Sequence, residues 1–177
     1  MDGANEAPVQ LPADIQFGPY STAEALPVFE DLNLEDLVEQ QIASGVALDN
    51  LDMFANWTVN GRSLAINWLF RTAEGEPFAI AGLAQGSAAG VGQAAFLSRD
   101  PQTFRRPLVK AARIIRTILP EVSRDTGLRR IECRCWRNHS TASRFLESIG
   151  FERETGLRGF GPSGDDVFLQ YAWLRRS

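Results

Sequence analysis

The chain has 177 residues, 44% of them hydrophobic, which is enough for one domain to bury a sizeable core. Lys and Arg total 18 against 22 Asp and Glu, and the resulting net charge of -4 is opposite in sign to that of a protein that coats nucleic acid, so no such partner is expected. No run approaches the roughly 20 apolar residues of a membrane span, and no basic segment followed by an apolar core opens the chain; a cytoplasmic location without a membrane partner is expected.

Residues 1–28 carry Pro8, Pro12, Pro19 and Pro27 and no sustained period, which predicts an extended arm ahead of a domain over 29–177. Asn33 then stands as an N-cap before Leu34, Leu37, Val38 and Ile42, whose spacing predicts an amphipathic helix ending near Gly45. Its carboxylates belong to an acidic cluster (Glu24, Glu30, Asp31, Glu35, Asp36, Glu39, Asp49, Asp52) that reads as solvated helix faces, while 99–130 is rich in arginine. A short helix is expected over Asp49–Asn56.

The period then changes to two. Ser63–Arg71, with Leu64, Ile66, Trp68 and Phe70 on one face, reads as a strand, the turn at Glu74 to Pro77 follows, and Phe78–Ala84 is its hairpin partner. The Gly-rich loop 86–90 leads into a third strand, Val91–Ser98. From Thr103 the period is helical as far as Pro120, with a resumption expected to Thr126. Arg129–Trp136 reads as a strand and Thr141–Ile149 as a helix closed by Gly150 at its C′ position; Phe151–Leu157 and Val167–Leu174 are the last strands, separated by a loop at 159–166. This order predicts an α/β fold with a mixed, mostly antiparallel sheet of about 5–7 strands, helices on both faces, and the helices after the third and fourth strands on opposite faces.

Cys133 and Cys135 lie two residues apart on one strand face, about 7 Å from each other, too far for an unstrained disulfide. They read as reduced core thiols, with a metal disfavoured because His139 is the only histidine. Trp57, Trp68, Trp136 and Trp173 read as core anchors.

The run from Trp136 and Asn138 through Ala142, Phe145, Leu146 and Ile149 to Gly150 and Phe151 resembles the strand, helix and Gly-Phe turn near the C-terminus of GNAT-family N-acetyltransferases. Within that superfamily it looks closest to acetyltransferase-like internal virion proteins of short-tailed phages. The resemblance covers roughly residues 30 to 175, with its specific motif in 136–151. It implies acetyl-CoA as the acyl donor, held along the third strand (Phe96, Leu97, Ser98) and touched by Asn138.

Two departures accompany it. The loop that supplies cradling glycines in the family reads Asp100, Pro101, Gln102, Thr103, Phe104, Arg105, Arg106, Pro107 here, so phosphate binding would fall to the Arg105 and Arg106 side chains rather than to free amides. The tyrosine five residues before the Gly-Phe phenylalanine, a proton donor to the leaving thiolate, is Leu146. Glu132, Asp100 and His139 are the remaining acid-base candidates, and His139 stands in the register of the family's asparagine.

Two functions follow. One is a phage virion or virion-assembly component with a degenerate acetyl-CoA site, meeting other virion proteins through its arm and acidic helix, made in the host cytoplasm and carried into the particle. The other is an active acetyl-CoA-dependent N-acetyltransferase acting on a small-molecule amine; a regulatory module that binds a CoA ester without turnover stands between them.

Overall fold

The computed structural model describes residue 12 and residues 14–176. Among these, seven strands form one sheet: β1 (Ile15–Pro19), β2 (Ile66–Thr72), β3 (Pro77–Gln85), β4 (Val91–Ser98), β5 (Arg130–Trp136), β6 (Glu152–Phe160) and β7 (Asp166–Leu174), in the order β1-β2-β3-β4-β5-β7-β6. Five α-helices accompany them: α1 (Thr22–Glu30), α2 (Leu34–Ser44), α3 (Asn50–Asn60), α4 (Arg105–Asp125) and α5 (Ala142–Ser148). Every pairing is antiparallel except β4 with β5. This is the mixed, mostly antiparallel sheet with helices on both faces that the element order predicts.

Local chemistry fixes the ends. Asn33 caps α2 by accepting from Glu35 N–H, and Gly45 closes it in the left-handed conformation. Asp49 and Asp52 form a reciprocal capping box on α3, which runs a turn beyond the expected end. Gly150, at φ +97°, turns the chain from α5 into β6, a conformation that a Cβ would strain.

Three expectations are corrected. The second half of the predicted arm is part of the domain: β1 pairs with β2 from Ile15 opposite Thr72 to Pro19 opposite Trp68, and Ala25, Val28 and Phe29 of α1 are fully buried. An edge strand tolerates Pro19, and α1 is too short for its period to stand out among prolines. Residues 1–11 and 13 lie outside the described residues. Pro120 does not divide α4, which runs unbroken from Arg105 to Asp125 with Leu119 and Ser123 on either side of the proline buried. Finally, α4 and α5 share one face, packing their Ala112, Leu119, Leu146 and Ile149 around Ile131, while Ala25, Phe29 and Met53 of α1 and α3 cover the other against Leu69, Ile80 and Leu97.

Candidate active site

The parallel ladder between β4 and β5 is short. It runs from Val91 opposite Arg130 to Gln93 opposite Glu132 and stops, although both strands continue, so the centre of the sheet opens into a V. Arg99 N–H donates to Phe78 O in β3, so along β4 the alternate peptide groups, those of Ala94, Phe96 and Ser98, face away from β3 and into the V. On the other side Arg137 N–H, just after β5, donates to Val167 O in β7, which turns the peptides of Arg134 and Trp136 inward. The V is thus lined by backbone donors and acceptors that the sheet leaves open. A cavity of about 1350 Å³ occupies it and extends along α4 and α5.

Helix α2 closes the wide end. Asn33 N–H donates to Ser98 O at 2.9 Å, which docks the start of the helix on β4. Asp36 then accepts from Ser98 N–H at 3.0 Å through Oδ2, and one turn later Glu39 accepts from Trp136 N–H at 2.8 Å through Oε2. One helix therefore bridges both arms of the V through two carboxylates. Trp136 O accepts from His139 N–H, which folds the following turn back so that the His139 ring meets α2.

His139 is 5% exposed, and its Nε2 lies 2.8 Å from Asp36 Oδ1. Because Nδ1 accepts from Ala142 N–H at 3.2 Å, the hydrogen of the neutral ring sits on Nε2 and is given to Asp36. On the Nδ1 side Glu35 Oε2 stands 3.4 Å away and itself accepts from Ser140 Oγ at 2.7 Å. Both oxygens of Asp36 are thus occupied, whereas Glu39 lines the cavity and its Oε1 has no partner among the described residues.

This crowding of carboxylates shifts titrations. Burial pushes Glu39 from 4.5 up to about 7 against the Trp136 hydrogen bond and the charge of His139, with the negative charge of Asp36 adding to the rise. Burial also raises Asp36, opposed by its His139 and Ser98 bonds. Burial works to lower His139, but its hydrogen bond to Asp36 and the charges of Asp36, Glu39 and Glu35 outweigh it, so the ring holds its proton above 6.5. Burial, with the Glu39 charge next, pushes the Cys133 thiol up to about 12, and Cys135 rises to about 11, so neither is a nucleophile near neutral pH.

The sequence candidates divide accordingly. His139, Phe96 and Arg105 line the cavity. Ser98 lines it too, but Asp36 and Asn33 already use its peptide N–H and carbonyl; Leu97 turns its peptide toward β3 and its side chain into the core, so neither offers the free backbone expected. Arg106 is exposed outside the cavity lining, as is Asn138, whose side chain makes no hydrogen bond among the described residues. Glu132 reaches the cavity wall but is held by Arg130 Nε at 2.6 Å, and Arg130 also grips Glu154. Asp100 accepts from Gln102 and Thr103 N–H and from Thr103 Oγ1 at 2.7 Å; the Thr103 bond foremost lowers its pKa, so it caps a turn rather than acting as a base.

Asp36 and Glu39 are the residues that sequence reasoning did not single out. They were expected on a solvated face, yet they turn inward, while Leu34 on the opposite side of α2 is 69% exposed. The readable signal was their spacing of three, which places both on one side of the helix.

The absent glycine cradle has a structural cause. Phe104, the N-cap of α4, is buried, stacked on Phe78 at 5.9 Å beneath the Arg99 guanidinium, which lies 4.5 Å from its ring centre. Beyond it Arg105, Arg113 and Arg116 follow one another along the cavity side of α4, with Arg144 across from them on α5. None of the four pairs with a carboxylate among the described residues.

No protein-family model matches the sequence, and no curated protein matches it. Solved structures do match its architecture. A GNAT-family acetyltransferase from Bacillus anthracis is similar at TM-score 0.70 and 15% identity over 93% of this chain and 96% of its own. The spermidine N-acetyltransferase of Vibrio cholerae, solved with CoA and spermine, gives 0.67 and 10% over 93% and 97%. YncA of Salmonella typhimurium, solved with acetyl-CoA, gives 0.63 and 8% over 93% and 95%. At such identities the likeness is one of fold, and the chain has the fold of the GNAT acetyltransferases.

Proposed function

We propose that the protein is an acyl-CoA-dependent N-acyltransferase acting on a small amine, with Glu39 as the general base. The observation that carries this reading is the Glu39 carboxylate, pinned by one oxygen to β5 at the head of an opened sheet, on a residue that lines the cavity, with its pKa raised to about 7. A base of that pKa is half ionised near neutral pH and is well matched to taking a proton from an ammonium group. The acetyl-CoA bound by the Salmonella protein, and the CoA and spermine bound by the Vibrio enzyme, support the same choice of donor and acceptor class.

The residues fit an acyl-CoA along the V. The inward peptides of Ala94 and Phe96 would hold its pantetheine amides, and Arg105, Arg113 and Arg116 would meet its phosphates in place of a glycine cradle. The donor supplies an acyl carbon activated as a thioester. With the donor bound, Glu39 would take one proton from the incoming ammonium, the amine nitrogen would form its bond to the acyl carbon and lose its second proton to solvent, and the carbon–sulfur bond would break to release a thiolate. Leu146 gives that thiolate no proton, and the two tyrosines of the chain are engaged elsewhere: Tyr20 with Thr58 Oγ1 and Tyr171 with Glu147. Because a free thiol ionises near pH 8.5, the thiolate leaves without an enzyme acid, and positioning with base catalysis supplies the rate.

The virion or assembly reading rests on the resemblance of residues 136–151 alone, and none of the solved structures named above is a virion protein. The test is calorimetric titration of acetyl-CoA and CoA into the full chain, followed by thiol release with polyamines, free amino acids and peptide N-termini as acceptors. Micromolar binding, about -8 kcal/mol, with amine-dependent thiol release is expected. The absence of both would refute the proposal.

A further inference from the structure

Beside the main cavity lies a second one of about 70 Å³, with an apolar wall, between the sheet and α4. The two share Ala94 and Phe96 of β4, Cys133 of β5 and Leu146 of α5, so they meet at the V where the acyl carbon of a bound donor would sit. The small cavity continues from there between Ala81 of β3 and Ile115 of α4. Its effect is visible in the burial of the sheet: Ala81, Ala94 and Cys133 occupy the middle of a seven-stranded sheet under two helices, yet each is only half-buried.

The wall chemistry is consistent along its length. Leu146 stands where a tyrosine would place a hydroxyl at this junction, and the Cys133 thiol stays neutral. Such a space repels water and charge and accepts hydrocarbon. Left empty, it is a stability cost that one larger side chain at Ala81 would remove. Apolar cavities of ~150 Å³ take up a six-carbon ring, so this one has room for about three carbons.

We infer that the small cavity is an acyl-chain pocket, and that the preferred donor is a short-chain acyl thioester of about four or five carbons rather than an acetyl thioester. The inference rests on the acyltransferase reading and names its donor class. The carbonyl stays in the V opposite Glu39, and the chain beyond it passes between Ala94 and Leu146 into the pocket.

The experiment is calorimetric titration of acetyl-, butyryl-, pentanoyl- and octanoyl-CoA into the full chain and into the Ile115→Phe and Ala81→Leu variants, whose side chains border the small pocket alone. Folding of each variant is checked by thermal melting, and either folded variant suffices. Affinity is expected to rise roughly fourfold per methylene through pentanoyl-CoA and to fall for octanoyl-CoA. In the variants the series becomes flat, with acetyl-CoA affinity kept within about twofold of the parent. A series that is already flat in the parent, or a rise that a folded variant leaves intact, overturns the acyl-chain pocket and leaves the acyltransferase standing. No affinity for any of the four thioesters overturns both.

Discussion

Replacing Glu39 by Gln separates catalysis from packing, because the amide keeps an oxygen to accept from Trp136 N–H while losing the ability to take a proton. The parent carboxyl ionises at 4.5 in the unfolded chain and at about 7 in the folded one. Between these values the folded state holds a proton that the unfolded chain has released, so stability falls as pH rises through the window, by at most about 3 kcal/mol once pH exceeds 7. Glutamine carries no such penalty. The variant is therefore expected to match the parent near pH 4.5 and to exceed it by up to about 3 kcal/mol at pH 8.5, about 6–12 °C in melting temperature for a domain of this size. Acyl transfer moves the other way, falling about 10²- to 10⁴-fold and losing the rising limb near pH 7 in kcat/KM. Urea unfolding at the two pH values and thiol-release kinetics measure the two effects. A stability difference that is the same at both pH values would mean that the carboxyl is solvated, and the assignment of Glu39 as a poised base would fail.

Four further outcomes are expected. His139→Ala leaves Asp36 buried without its partner, and since the folded histidine holds its proton above 6.5, facing Asp36, Glu39 and Glu35, the stability that it contributes is present below pH 6.5 and lost as pH rises through the folded value. Melting should show a loss of about 1–3 kcal/mol at pH 6 that shrinks by pH 9. Asn33→Ala removes the α2 cap and should cost about 1 kcal/mol in urea unfolding, with a rise in KM for the amine as the helix that carries Glu39 loosens. Leu146→Tyr brings a phenol to the junction of the two cavities; it should raise kcat for acetyl-CoA while the phenol is protonated, with the gain lost above about pH 10, and cost about 1–3 kcal/mol from overpacking. The Arg105→Ala, Arg113→Ala double variant should weaken CoA at least tenfold, about 1.4 kcal/mol, and flatten the salt dependence of binding seen by calorimetry.

The domain was legible where side-chain period decides the structure. β4 begins and ends at the residues that alternation picked, Val91 and Ser98, and α2 begins after Asn33 and closes at Gly45 because both caps are local chemistry. The misses share a different cause. β1 is an edge strand of five residues whose partner lies about fifty residues away, so its pairing is invisible to any local pattern. Pro120 reads as a helix stop because a lost backbone bond is a local cost, while the burial of Leu119 and Ser123 that offsets it is tertiary. The shared face of α4 and α5 follows from the sheet order, in which β7 inserts between β5 and β6, and adjacency in sequence does not reveal that insertion.

The site was harder to read for a reason that lies in the backbone. A helix with Leu34, Leu37, Val38 and Ile42 on one side and Glu35, Asp36 and Glu39 on the other should bury the first set, because hydration of carboxylates outweighs anything an ordinary core returns to them. Leu37 does pack on the core, but Asp36 and Glu39 also turn inward, because the core side there offers unpaired hydrogen-bond donors. The β4–β5 ladder supplies them by stopping at Gln93 and Glu132, which frees Ser98 and Trp136 N–H at the ends of two strands that are regular by sequence. Nothing in the alternation of Val91–Ser98 or Arg130–Trp136 marks the point of divergence, so the polarity of α2 could not be oriented from its own residues. The two findings explain each other: a sheet left open needs polar partners, and a helix that turns its acids inward needs donors to receive them. The same opening makes one of those acids a base, since the burial that lets Glu39 reach Trp136 is what raises its pKa toward neutrality.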